Sequence, residues 1–278
     1  MGGPQGTVKR LAVLGQPIAH SRSPAIHRAA LAAVGLEGEW TYEAREVSPD
    51  DFAATVRGMP REGFVGANVT VPHKRAALEL AERRSEVARE IGAANTLTFA
   101  EAEIRADNTD AEGLMAALPT DASDRRALVM GAGGAGRAVV WALLREGAEV
   151  SIWNRTEERA ATLAAELGGV AVGAGERWLA TADWDLIVNS TAVGMGGEDQ
   201  FAALPVKPES LHSGQTVVDL VYGDAETALI AAARKAGATA VDGLEVLVCQ
   251  GAASLRIWTG AEPPLEAMRA AARGRAAQ

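Results

Sequence analysis

The sequence has one cysteine, Cys249, so no internal disulfide can form and a reducing compartment is expected. Its four histidines, His20, His27, His73 and His212, lack HExxH or CxxC companions, which argues against a bound metal. Positive charge is also scarce. Against 36 Asp and Glu stand 27 Lys and Arg, and the resulting net charge of -9 repels phosphate backbones and anionic lipid. Neither nucleic acid nor a membrane is an expected partner. Long apolar runs are missing too: near the N-terminus only residues 11–14 are continuously apolar, far short of a signal-peptide core or a membrane span, and Gly6 breaks the myristoylation pattern. A cytoplasmic location is the expectation. What the 278 residues do have is 48% hydrophobic composition, enough for one large or two medium cores and inconsistent with disorder.

Short apolar stretches alternate with alanine-rich helical ones: RLAVLG then PAIHRAALAAVG, GFVGANVTV then KRAALELAERR, RALVMG then AGRAVVWALLREG. This βα repetition predicts an α/β fold with mostly parallel sheets. The polar stretch 119–126, PTDASDRR, reads as a connection, and a domain crossover is expected on the helix before it, near residues 110–118.

GAGGAGRA begins at Gly131 with glycines at 131, 133 and 136, the spacing that turns a backbone tightly against a pyrophosphate. Strand residues 127–130 precede it, a helical run up to Gly147 follows, and EVSIWN supplies a second strand. That β-turn-α-β context makes it a nucleotide site rather than a glycine-rich turn. The second strand ends in Asn154, Arg155 and Thr156, where an NAD-selective unit carries an acidic residue. Arg155 and Arg159 suit a 2'-phosphate, and a cation in a helix's first turn opposes the macrodipole unless an anion is near, so NADP is the expected cofactor. Thr156 can cap the helix at the same time.

Three stretches before the fingerprint carry more polar detail than a core needs. In HSRSPAIH, Pro24 suits the first helical position and Ser23 the N-cap; Ser21, Ser23 and the local N–H groups can hold a small carboxylate, although the stretch alone reads more simply as a Ser-Pro helix start. In GANVTVPHK, Asn68 and Thr70 fall on one side of a predicted strand, with Lys74 just past its C-terminal end, where α/β sites are built. A helix starting near Pro72 places Lys74 in its first turn, where the dipole disfavours an ammonium; a solvated lysine is the alternative. GAANT and NTDAEG add Asn95 and Asp110, the latter also able to cap the following helix.

GQPIAHSRSPAIH, GANVTVPHK, IGAANTL, NTDAEGL, GAGGAGRA, NRT, VNSTAVGM and DGLEVLVCQGA, in this order and across nearly the whole chain, resemble the shikimate dehydrogenase family. The resemblance implies two domains: an N-terminal α/β substrate domain, residues 1–104 with C-terminal helices returning as 244–278, and a Rossmann-type doubly wound NADP domain, residues 105–243. It implies NADPH-dependent reduction of 3-dehydroshikimate to shikimate, with quinate or aminoshikimate dehydrogenation, or NADP sensing without catalysis, as alternatives. Lys74 and Asp110 are then the catalytic pair, Ser21 and Ser23 hold the substrate carboxylate, Thr70, Asn95 and Asp110 hold ring hydroxyls beside Lys74, Asn68 belongs to the same substrate set, and Tyr222 and Gln250 close the site. Gly131, Ala132, Gly133, Gly134, Ala135, Asn154, Arg155, Thr156 and Arg159 take the cofactor, with Leu220 and Gly243 near the nicotinamide. With cofactor and substrate on different domains, a hinge motion that excludes water is implied, in a monomer or homodimer. Two positions depart from the family pattern: Asp224 stands where proline is usual and Val246 where methionine is frequent.

Overall fold

The computed structural model describes residues 8–100, 103–173 and 177–274. The chain divides into two units, Met1–Thr109 with Val248–Gln278, and Asp110–Leu247. The first unit opens with β1 (Lys9–Gly15), α1 (Ser23–Ala33), β2 (Trp40–Glu46), α2 (Phe52–Gly58), β3 (Phe64–Val69) and α3 (Lys74–Leu80). It continues with β4 (Arg83–Arg84), α4 (Glu86–Ile91), β5 (Thr96–Ala100) and β6 (Glu103–Asp107). The second unit contains α5 (Asp110–Ala117), β7 (Arg126–Met130), α6 (Gly134–Arg145), β8 (Glu149–Trp153), α7 (Glu157–Leu167) and β9 (Val170–Ala171), then β10 (Leu186–Asn189), α8 (Gln200–Ala203), β11 (Thr216–Asp219), α9 (Ala228–Lys235) and β12 (Thr239–Val241). The division falls inside α10 (Gly243–Thr259), and α11 (Leu265–Arg273) completes the first unit.

Helical spacing explains how α1 packs: Ser23, Ile26, His27, Ala30 and Leu31 recur at three- and four-residue intervals and are buried. Each large apolar side chain removed from water in this way, Ile26 or Leu31 for example, contributes about 1.5–3 kcal/mol. The first unit's strands follow the order β2-β1-β3-β5-β6-β4. β1 pairs in parallel with β2 and β3, and β4 with β6, while β5 is antiparallel to both β3 and β6, so this sheet is mostly parallel with one reversed strand. Two residues separate β5 from β6, whereas a parallel pair needs a crossover of a dozen or more. The reversal has a positional effect. Thr96 at the start of β5 lies opposite Asn68 near the end of β3 and opposite Asp107 at the end of β6, so the ends of β1, β3 and β6 and the start of β5 share one edge.

The second unit's sheet, in the order β12-β11-β10-β7-β8-β9, is parallel throughout. Ile187, Val188, Val217 and Val218 have no exposed surface, as a strand covered on both faces requires. From β7 the chain turns to β8 on one side and later to β10 on the other, which makes the carboxyl end of β7 the point where doubly wound folds bind ligands. Val246 is buried in this unit's core, so its departure from methionine is a packing change.

Candidate active site

Gly15, the last residue of β1, lets the polar edge of the first unit close up. A Cβ there would stand 2.4 Å from Thr70 Cγ2, while Thr70 N donates to Leu14 O and Gln16 N donates to Val71 O. The strand expected to run through Thr70 stops at Val69, and Thr70 and Val71 lie in the connection to α3. Lys74 is the first residue of α3, and its carbonyl accepts from Ala94 N at 2.8 Å, which ties the lysine's backbone to the segment carrying Asn95.

Asn95 is the hub of this edge. Its Nδ2 donates to Thr109 Oγ1 and to Gln250 Oε1, both at 3.0 Å, while its Oδ1 accepts from Thr109 N at 2.7 Å and from Thr96 Oγ1 at 3.1 Å. Buried polar groups joined in this way fix one another's orientation. Asn68, also buried, accepts at Oδ1 from Tyr42 Oη at 2.7 Å and donates from Nδ2 to Asn95 O and Thr96 Oγ1, both at 3.3 Å. Asn68, Asn95 and Gln250 are thus joined. Asp110, the first residue of α5, directly follows the Thr109 that Asn95 holds.

Behind Asn68 the aromatic ring of Tyr42 stacks on His27, centroids 4.2 Å apart and planes 3° apart, and both rings face Trp258 of α10 at a tilt. Both nitrogens of the fully buried His27 lack a hydrogen-bond partner. Burial drives its pKa down from 6.5 to about 3, opposed in part by the nearby Asn68 side chain, whose contact does not have hydrogen-bond geometry.

Ser23 is not an N-cap: it lies inside α1, whose cap residue is Arg22 with no side-chain cap bond. Ser21 is the residue that turns inward, its Oγ accepting from Ser23 N at 3.3 Å. Thr156 does hold the N-cap position of α7, but makes no side-chain cap bond. Asn154 organises this end instead, accepting from Ala132 N at 3.2 Å and donating to Thr156 O at 2.8 Å.

The fingerprint turn is tightly built. Gly131 has φ +117°, and a Cβ on Gly136 would sit 2.1 Å from Gly131 O, so the helix rests directly on the turn. A Cβ on Gly133 would meet nothing within 4 Å, and the backbone there is open to an approaching ligand. Gly134 and Ala135 form the first turn of α6. Arg155 and Arg159 are exposed beside Asn154 with no ion-pair partner among the described residues, although Glu157 and Glu158 share the first turn of α7. On the far side of β7, a Cβ on Gly243 would lie 2.6 Å from Leu220 O, so the two residues expected near the nicotinamide are in contact. Tyr222 and the exposed Asp224 share the loop that follows Leu220.

Residues 13–97 match the family described as the shikimate dehydrogenase substrate binding domain, residues 114–195 that described as shikimate / quinate 5-dehydrogenase, and residues 243–273 the shikimate 5'-dehydrogenase C-terminal domain. Over 266 residues, 95% of this chain and 98% of the relative, the sequence is 43% identical to the NADP(+) shikimate dehydrogenase of Halobacterium salinarum. The chain belongs to the shikimate dehydrogenase family. Its fold is that of the shikimate 5-dehydrogenase of Thermus thermophilus solved in complex with NADP(H) and shikimate, with TM-score 0.85 and 40% identity over 96% of this chain and 99% of that one. It is also similar to the 5-ketofructose reductase of Gluconobacter, with TM-score 0.83 and 29% identity over 96% and 98% of the two chains. The architecture is thus shared along nearly the whole chain with shikimate dehydrogenases and with a protein named 5-ketofructose reductase. Tyr42, Thr96 and Thr109, which hold Asn68 and Asn95, escaped the sequence reading, although Thr96 and Thr109 lie inside the GAANT and NTDAEG motifs themselves.

Proposed function

We propose that the chain catalyses the reversible NADPH-dependent reduction of 3-dehydroshikimate to shikimate. The observation that carries this reading is the polar edge of the first unit, where Asn95 joins Thr109 and Gln250 and the Lys74 backbone is bonded to Ala94. When bound, NADPH supplies a hydride to the C3 carbonyl carbon of the substrate. Lys74 Nζ gives a proton to the C3 oxygen in this direction and removes it in the other, and Asp110 orients the lysine and the ring hydroxyls. Ser21 and Ser23 hold the carboxylate, Asn68, Thr70 and Asn95 position the ring, and Tyr222 and Gln250 close over it. The adenosine 2'-phosphate falls to Asn154, Arg155, Thr156 and Arg159, the pyrophosphate to residues 131–135, and the nicotinamide to Leu220 and Gly243. In this assignment residues 1–104 and 244–278 serve the substrate and 105–243 the cofactor.

Support for NADP comes from two exposed arginines, Arg155 just after β8, where an acidic residue would select NAD, and Arg159 in the first turn of α7. The enzyme is proposed to work in the cytoplasm as a monomer or homodimer; among the described residues, no helix is long and apolar enough to cross a membrane. Steady-state kinetics with shikimate and quinate, each with NADP and NAD, test the reading. Shikimate with NADP is expected to give the highest kcat/KM. Preference for quinate would move the chain to that activity, and cofactor binding without turnover of any ring alcohol would make it a sensor.

A further inference from the structure

One ionisable group has no task in this scheme. Asp219, the last residue of β11, has no exposed surface, and its carboxylate is surrounded by donors. Oδ1 accepts from Asn189 Nδ2 at 2.8 Å and Val221 N at 3.1 Å; Oδ2 accepts from Gln200 Nε2 at 2.8 Å and Thr227 Oγ1 at 2.7 Å. Burial pushes its pKa up, opposed by these hydrogen bonds. Burying a charge costs several kcal/mol per ion before its partners repay it, and the preceding residues of β10 and β11, Ile187, Val188, Val217 and Val218, are apolar and fully buried, so packing alone would be better served by an apolar side chain.

Its partners show what it gathers. Asn189 ends β10, and its Oδ1 accepts from Thr191 N at 3.1 Å and Thr191 Oγ1 at 2.7 Å. Gln200 Nε2 donates to Val193 O at 3.1 Å, while its Oε1 accepts from Leu229 N at 2.8 Å. Thr227 caps α9, and Val221 lies between Leu220 and Tyr222. The loop after β10 is closed at its tip as well: the Glu198 carboxylate accepts from Gly194 N at 2.7 Å and Gly196 N at 2.9 Å. One buried carboxylate therefore fixes the bases of the loops after β10 and β11, on the side of β7 away from the 2'-phosphate clamp at the end of β8.

We propose that Asp219 is a positioning residue for hydride transfer, holding the Leu220–Tyr222 and Thr191–Val193 backbones where the nicotinamide half of the cofactor must lie. The proposal rests on the NADP-dependent reading above and acts through those loops, without contact between Asp219 and substrate. It predicts a split between the two halves of the cofactor: the adenosine end is bound independently of Asp219, and the nicotinamide end is not.

Asp219→Asn tests this because no amide rotation satisfies the site. The new Nδ2 meets Gln200 Nε2, and turning Gln200 over would set its Nε2 against Leu229 N. Combining it with Gln200→Glu restores an acceptor opposite Nδ2 and for Leu229 N, at the cost of the bond to Val193 O, which then faces a carboxylate oxygen. Three quantities are measured: shikimate kcat and KM, affinities for NADP and for adenosine 2',5'-bisphosphate, and Tm. In D219N, kcat is expected to fall on the order of 10–100-fold, the cost of a small misplacement of reacting groups. NADP should lose most of its affinity advantage over the bisphosphate, whose own affinity stays at the wild-type value, and the double variant should recover a large part of both losses. Should D219N fail to fold, Thr227→Val removes one donor to Asp219 together with the long cap bond from Ile230 N, and is expected to show the same split in weaker form, with a Tm loss from the cap. Wild-type kcat and affinities in these variants overturn the proposal. So does an equal loss of NADP, bisphosphate and Tm without rescue, which would make Asp219 a folding residue. Absence of shikimate turnover in the wild type refutes the substrate assignment alone, because the ratio of the two affinities still reports on Asp219.

Discussion

Acidification should expose the cost of burying His27. Its pKa of about 3 in the folded chain, against 6.5 in an open one, means that between those pH values the unfolded chain takes up a proton that the native ring refuses. Stability from this group is therefore complete above pH 6.5, falls by about 1.4 kcal/mol for each pH unit below it, and levels off near pH 3. From pH 7 to pH 5 the loss comes to about 2 kcal/mol, a large part of the 5–15 kcal/mol typical of a folded domain. His27→Phe removes the proton site and both unpartnered nitrogens while keeping a flat ring against Tyr42. Denaturant unfolding of wild type and variant at pH 7 and pH 5 should show the variant at least as stable at pH 7 and relatively more stable by about 2 kcal/mol at pH 5. The imidazole resonances offer a direct reading, since the signal lost in the variant should remain that of a neutral ring down to pH 4.5. A His27 resonance titrating near pH 6.5, or parallel pH profiles for the two proteins, refutes the reasoning.

Lys74→Met keeps an unbranched chain of similar length but removes the proton carrier, so kcat should fall by about 10²–10⁴-fold with smaller changes in KM and NADP affinity. Near-normal kcat with chemistry rate-limiting would remove Lys74 from the proton path. Arg155→Ala should weaken NADP by about 1.5–3 kcal/mol and leave NAD unaffected; calorimetry showing equal losses would relocate the 2'-phosphate. Gly136→Ala forces a methyl group against Gly131 O, 2.1 Å away, and should lower stability by about 1–3 kcal/mol and weaken NADP. Wild-type Tm and affinity would show that the turn can open.

Features written in consecutive residues were legible before the structure. GAGGAGRA declares its turn because each glycine's role depends on neighbours a few positions away, and the α-helical runs show their apolar faces by spacing. Capping was less legible: Ser23 falls inside its helix and Thr156 stands at the N-cap without a cap bond, while Ser21 and Asn154 use the local backbone groups. The β5–β6 reversal followed from a connection too short to cross over, a cue that βα repetition concealed. Least legible were partners brought together by folding. Tyr42 reaches Asn68 across 26 residues and Asn95 reaches Gln250 across 155, while Asp219 draws Asn189 from 30 residues away. No spacing rule encodes such pairs, because sheet order and the packing of returning helices decide them.

The discontinuity of the first unit also sets an order of assembly during synthesis. Trp258 Nε1 donates to Leu97 O at 3.0 Å, Gln250 accepts from Asn95, and Arg22 donates to Gly274 O at 2.8 Å, so the early strands and α1 wait for the last helices before they are complete. Residues 110–247 contain all six strands of their own sheet and require no such late arrival. A ribosome releasing the chain from its N-terminus would then leave the half-built first unit exposed throughout translation of the second, with the α1 face that α11 later covers open to chaperones and to aggregation.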